Sequence, residues 1–242
     1  MAHNIEITLP DGGPLKGAVA RPKDGGGPHP GVIVVHEAYG DQPEMRSVCD
    51  KFAAYGYVAV MPDLFSIGGP RAICAARAML ESASGRTGRV SGYIDDARAW
   101  LAEQEDVDGQ RIGVIGFCMG GAFALAYVGS GPPGVRAASI NYGEAPKQAA
   151  SLRAACPIVA SYGARDMIMR PHSERLRRHL TELGIEHGVK VYDGAGHSFM
   201  TQGNHPIGRL VFLPMRIGHV PHAAGDAWRR VFAFFDERLQ AS

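Results

Sequence analysis

The sequence predicts an α/β protein: an open, doubly wound, mostly parallel sheet of eight strands with helices on both faces, in one domain spanning residues 1–242. Three observations lead there. Short β-branched runs alternate with longer helical patterns, as right-handed βαβ crossovers do. The runs after residue 30 are apolar at nearly every position rather than every second one, the mark of parallel strands covered on both faces. Glycine is abundant, 32 of 242 residues, which supplies many tight turns and element ends.

Taken in order, residues 4–9 and 15–21 flank Pro10-Asp11-Gly12-Gly13-Pro14, turn chemistry that suits an antiparallel hairpin. Six apolar runs follow, at 31–36, 57–61, 112–117, 135–140, 158–162 and 189–192, and read as parallel strands. Helical patterns lie between them at 43–55, 71–82, 91–105, 119–127 and 172–183. A last helix over 223–239 puts Ala224, Trp228, Val231, Phe232, Phe235 and Leu239 on one face, which packs on the sheet. Residues 23–28 read as a loop too short to separate domains.

Lys and Arg total 25 against 24 Asp and Glu, a net charge of +1 with no basic block, so a nucleic-acid partner is not expected. The N-terminus has no basic region leading into an apolar run, so no signal peptide is expected. Residues 112–135 carry no charge, but seven glycines plus Pro132 and Pro133 argue for a buried strand and helix rather than a membrane span. Cys49, Cys74, Cys118 and Cys156 contain no C-x-x-C pair for zinc or dithiol chemistry; a reducing, cytoplasmic compartment fits them best.

The sharpest chemical feature is Gly116-Phe117-Cys118-Met119-Gly120-Gly121, between a strand and an apolar helix. A nucleophile between small residues at this junction is a nucleophile elbow, with sulfur in place of serine oxygen. The helix N-terminus beside it lowers a thiol pKa and binds an oxyanion. In open parallel sheets, active groups collect at the carboxyl ends of the strands. Two further ends carry Gly163-Ala164-Arg165-Asp166 and Asp193-Gly194-Ala195-Gly196-His197. Nucleophile, acid, histidine is the chain order of the α/β-hydrolase triad, with Cys118 as nucleophile, His197 as base and Asp166 as the orienting carboxylate. Asp193 is the rival acid, but it ends its own strand just before His197. Glu37, at the end of the strand 31–36, stands at the same sheet edge as Cys118, where it accepts the thiol proton and keeps the resting sulfur neutral; a salt bridge to Arg46 is the structural alternative. His36-Glu37 does not open a zinc helix, because position 40 is Gly.

These residues resemble the dienelactone hydrolase family, cysteine-using members of the α/β-hydrolase superfamily. The resemblance covers nearly the whole chain, through Val34-Val35-His36-Glu37-Ala38-Tyr39-Gly40, Pro62-Asp63-Leu64, the Cys118 elbow, Gly163-Ala164-Arg165-Asp166 and Gly196-His197-Ser198-Phe199. It implies the α/β-hydrolase fold, a role for Glu37 in controlling Cys118 ionisation, and an oxyanion hole from the N–H groups of Ala38 and Met119. It implies hydrolysis of a small lactone or carboxylic ester through a thioester, with no cofactor; no metal site is expected from the spacing of His and Cys, and the chain is expected as a monomer or small homo-oligomer. The family's substrate is an unsaturated lactone bearing a carboxylate, which implies pocket arginines, one of them among Arg71, Arg77, Arg86 and Arg89. A second, four residues after the histidine, is replaced here by Thr201. Tyr39, Tyr142 and Phe199 complete the candidate pocket residues. Two other readings stand beside this one: a hydrolase of another small ester without dienelactone activity, and a noncatalytic thiol sensor on the same scaffold. His205, Arg209, Arg216, His219 and His222 lie in a long segment, 201–222, that suits a pocket lid or a subunit contact.

Overall fold

The computed structural model describes residues 1–23, 25–84, 88–202 and 213–240. Its strands are β1 (His3–Thr8), β2 (Pro14–Ala20), β3 (His29–Val35), β4 (Val58–Pro62), β5 (Val107–Phe117), β6 (Val135–Asn141), β7 (Ile158–Gly163) and β8 (His187–Tyr192). The helices are α1 (Pro43–Ala54), α2 (Arg71–Ser84), α3 (Gly88–Ala102), α4 (Met119–Gly129), α5 (Arg170–Glu182) and α6 (Pro221–Phe235), the last continued by a π-helical turn, Asp236–Gln240. All eight strands form one sheet in the order β1-β2-β4-β3-β5-β6-β7-β8. The hairpin is antiparallel and β2 runs antiparallel to β4, whereas β4, β3, β5, β6, β7 and β8 are mutually parallel.

Alternation along the fully apolar strands feeds two cores. Ile33 and Val35 of β3 face the layer that includes α2, α3, α4 and α5, while Val32 and Val34 face α1 and α6. On the second face Phe52 of α1 meets Phe232 and Phe235 of α6 with ring centroids 5.1 and 5.8 Å apart. Burying each such aromatic stabilises the layer by roughly 1.5–3 kcal/mol. Among the described residues no helix is long and apolar enough to cross a membrane.

Most boundaries shift by a residue or two from the sequence expectation, and two elements shift further. Strand β5 begins at Val107 rather than at 112, because His29 and Pro30 pair with Val107 and Asp108 before a register shift; the polar stretch Asp108-Gly109-Gln110-Arg111 disguises it as loop. Helix α3 spans Gly88–Ala102 instead of 91–105, so its C-terminal turn ends before Glu103.

The order in which successive strands are added reverses at β3, since β4 lies on one side of it and β5 on the other. A crevice therefore opens beyond the carboxyl ends of β3 and β5, the place where open α/β sheets bind ligands. Glu37 and Ala38 follow β3, and Cys118 follows β5.

Candidate active site

Cys118 is the N-cap of α4, with φ 55° and ψ −122°. That backbone is the first central position of a type II′ turn, normally a glycine conformation. Its neighbours explain why the turn closes so tightly. A Cβ on Gly116 would lie 2.2 Å from the Gly120 carbonyl oxygen, and one on Gly120 would lie 2.3 and 2.4 Å from the carbonyl oxygens of Val35 and His36. Both glycines are thus required for β3, β5 and α4 to approach. The Cys118 N–H is anchored to the Asn141 carbonyl at 3.0 Å, and the side chain remains partly accessible.

Asp166 and His197 come from loops after β7 and β8 and are both buried. His197 Nδ1 donates to Asp166 Oδ2 at 2.6 Å. The other carboxylate oxygen accepts the N–H groups of Ile168 and Met169 at 3.1 and 2.9 Å, so the acid is held at both oxygens. With Nδ1 committed, Nε2 is the nitrogen left for proton exchange. Burial disfavours the charged ring, but the Cys118 sulfur and the Asp166 carboxylate outweigh it and push the pKa of His197 up to about 10. The loop itself is braced from the described part of the 201–222 segment: His197 N–H donates to the Met215 carbonyl at 2.8 Å, and Gly218 N–H to the His197 carbonyl at 3.0 Å. His219 is turned to the Phe199 carbonyl, 3.0 Å away. His205 and Arg209 lie outside the described residues.

Glu37 is buried, and Ser198, itself at φ 54°, donates its hydroxyl to Glu37 Oε2 at 3.2 Å. Ser198 was not singled out from the sequence, although its place next to His197 was the available signal. His36 fixes the backbone here. Its Nε2 accepts the Leu64 N–H at 3.0 Å, so Nδ1 carries the proton and donates to the Glu37 carbonyl at 2.8 Å. Burial lowers the His36 pKa, favouring this neutral ring. Met119 is the first residue of α4, where an N–H has no acceptor within the helix.

Ala38, Cys118, Met119 and His197 line one cavity of about 350 Å³, at the lower end of ligand-pocket sizes. Its apolar walls come from Met79 of α2, Ala122 of α4 and Met169, and its further polar groups are Ser82, Tyr142 and Glu144. Tyr142 is buried at φ 43° with its ring 5.0 Å from that of His197; burial keeps its phenol neutral by raising its pKa well above the usual value. Tyr39 is 39% exposed and is not among the described residues lining the cavity; burial first, with Glu37 and Cys118 nearby, raises its pKa. The sequence reading had not named Glu144, Met79 or Met169. Glu144 stands in the loop after β6, at the same sheet edge as the other groups, and that position was the signal.

The remaining candidates are placed elsewhere. Arg71 pairs with Asp63 and lies over the Phe65 ring, 5.6 Å from its centroid. Arg77 reaches the Gly68 carbonyl at 3.5 Å, and Arg89 pairs with Glu81 at 2.6 Å; Arg86 lies outside the described residues. Arg46 pairs with Asp41, not Glu37, at 2.6 Å. Phe199 is fully buried on the far face, against Tyr142 and Tyr192. Thr201 is buried with its hydroxyl 3.3 Å from the Ser198 carbonyl. None of Arg71, Arg77, Phe199 and Thr201 lines the cavity among the described residues. The arginines have carboxylates or carbonyls nearby to satisfy them, and Phe199 is drawn into the aromatic core.

Known proteins resemble this chain over most of its length. The model of the family described as "Dienelactone hydrolase family" matches residues 15–239. A protein of Escherichia coli (strain K12) named "Putative carboxymethylenebutenolidase" is 30% identical over 234 residues, covering 90% of this chain and 80% of its own length. The carboxymethylenebutenolidase of Rhodococcus opacus is 27% identical, covering 86% of this chain and 81% of its own. The crystal structure of a "Putative Dienelactone Hydrolase" from Klebsiella pneumoniae superposes with a TM-score of 0.79 at 25% identity, over 98% of this chain and 99% of the other.

Proposed function

For a chain that belongs to the dienelactone hydrolase family and is therefore a carboxylic ester hydrolase, we propose a cysteine-dependent mechanism on a small lactone or ester, run by Cys118, His197 and Asp166. The observation that carries this reading is the 2.6 Å contact between His197 Nδ1 and Asp166 Oδ2, with His197 and Cys118 on one cavity wall. In this mechanism the thiol proton passes to Glu37 as Cys118 Sγ attacks the carbonyl carbon, beside a charged His197 ring. The oxyanion is held by the N–H groups of Ala38 and Met119. Collapse breaks the bond to the alkoxide, which leaves with the proton from His197, and a thioester on Cys118 remains. Water, losing its proton to the now neutral His197, attacks that thioester; the acid departs and the sulfur takes its proton back from Glu37. Asp166 holds the imidazole tautomer and stabilises its cation.

Glu37 has a separate task. A buried carboxylate disfavours a second negative charge nearby, so it keeps the resting sulfur protonated until substrate arrives. The chemistry uses no cofactor.

The test is hydrolysis of a small aryl ester by wild type and Cys118→Ala, with mass spectrometry of the rapidly quenched enzyme. Cys118→Ala is expected to lose at least about 10³-fold in kcat/KM, and the wild type to carry an acyl group on the Cys118 peptide. Wild-type turnover by Cys118→Ala would sink the mechanism.

A further inference from the structure

We propose, building on the roles given above to Cys118, His197 and Asp166, that Tyr142 is a positioning residue for that reaction. Its ring is the platform that holds the His197 imidazole in the plane from which Nε2 reaches the reacting group on Cys118. A single hydrogen bond does not fix a ring. His197 Nδ1 meets Asp166 Oδ2 at 2.6 Å, and that contact is a pivot about which the imidazole can still turn. A second contact sets the plane, and Tyr142 supplies it: the two ring centroids are 5.0 Å apart, with the planes tilted by 58°, inside the range of roughly 4.5–7 Å over which aromatic rings pair. Tyr142 follows β6, so it meets the imidazole from a different strand end than Asp166, which follows β7.

The platform is itself held. Tyr142 is fully buried, its N–H donates to the Ser161 carbonyl at 2.7 Å, and its ring lies against Phe117 and Phe199 with centroids 6.2 and 5.8 Å away. Its φ of 43° is a left-handed conformation that a bulky residue adopts only where its surroundings impose it. Glycine or asparagine would suit that backbone better, so a tyrosine there points to a use for the ring. The hydroxyl stands near Thr201 without a well-formed hydrogen bond, which makes the ring, not the phenol group, the part in use. The charge on His197 gives the contact a second effect. The titratable groups acting on this imidazole are Cys118 at the start of α4 and Asp166 after β7, while Glu37, after β3, acts on Tyr142. A cation within about 6 Å of an aromatic centroid is drawn to the π system, more strongly when desolvated. The Tyr142 ring therefore favours the charged imidazole as well as orienting it.

The experiment compares intact wild type with Tyr142→Phe, which keeps the ring, and with Tyr142→Leu and Tyr142→Met, which lack it, each shown to be folded by circular dichroism. The imidazole is followed by NMR of ring-labelled histidine, its signals assigned with His197→Gln. In wild type, nuclear Overhauser contacts between the ring protons of Tyr142 and His197 are expected. The titration midpoint of His197 is expected to fall by about half to one pH unit in the variants without the ring and to stay in place in Tyr142→Phe. For a small aryl ester, kcat is expected to fall about tenfold without the ring, with KM little changed, and to be restored in Tyr142→Phe. A merely structural role would lower stability and leave the midpoint of a folded variant where it was. Missing Overhauser contacts, an unmoved midpoint in a folded variant without the ring, or a Tyr142→Phe that behaves like Tyr142→Leu would overturn the proposal. The imidazole signals are read without any ester turnover, whereas failure of the hydrolase reading shows itself as turnover that survives Cys118→Ala.

Discussion

At the scale of single residues, the backbone of Cys118 is the most constrained part of the site. A non-glycine residue at φ 55° and ψ −122° costs roughly 1–3 kcal/mol. Cys118→Gly is expected to be more stable than wild type to urea by about 1 kcal/mol and inactive, in keeping with strain stored where chemistry occurs. Equal or lower stability would show that the turn is not strained. His197 makes a pH-dependent contribution whose sign follows from its raised pKa. Below the unfolded value of about 6.5, the ring is protonated in both states and its interactions with Asp166 and Cys118 act in full. Above that pH the unfolded chain sheds the proton while the folded chain keeps it, so the contribution declines and is lost by about pH 10. The stability difference between wild type and His197→Gln should therefore shrink from pH 6.5 to 10; a constant difference would argue against the charged pair.

At the scale of elements, the elbow depends on strand, turn and helix being almost in backbone contact. Gly120→Ala would place a methyl against two carbonyl oxygens of the β3 end, with no flexible side chain to yield. It is expected to cost at least about 2 kcal/mol, read by urea unfolding, and to depress Cys118 alkylation as the turn opens. A silent Gly120→Ala would mean that α4 can retreat from β3. The elements themselves were legible because both-face burial writes an unbroken apolar run, as in Val32, Ile33, Val34 and Val35. The chain positions of Cys118, Asp166, His197 and Glu37 were legible because each stands within about five residues after such a run. Less legible was β5 before Ile112, where pairing to His29 and Pro30 overrides a polar, glycine-containing stretch. The pocket walls were least legible. Met79, Met169 and Glu144 meet only in three dimensions, and Phe199, next but one to the histidine, turns into the opposite core.

At the scale of the whole molecule, the sheet separates two jobs. The face under α1 and α6 carries an aromatic layer of Phe52, Trp228, Phe232 and Phe235, while the site sits at the sheet edge. Phe232→Ala is accordingly expected to lower the unfolding free energy by about 3 kcal/mol or more, with the alkylation rate of Cys118 in the folded protein near wild type. A parallel loss of both would mean that the aromatic layer also holds the site. The spread of Cys118, Asp166 and His197 over three separate strand ends has a further consequence for how the protein comes into being. Cys118 follows β5, while Asp166 and His197 follow β7 and β8, which leave the ribosome later. In the proposed mechanism a nascent chain therefore carries the Cys118 thiol without its base until β7 and β8 have joined the sheet.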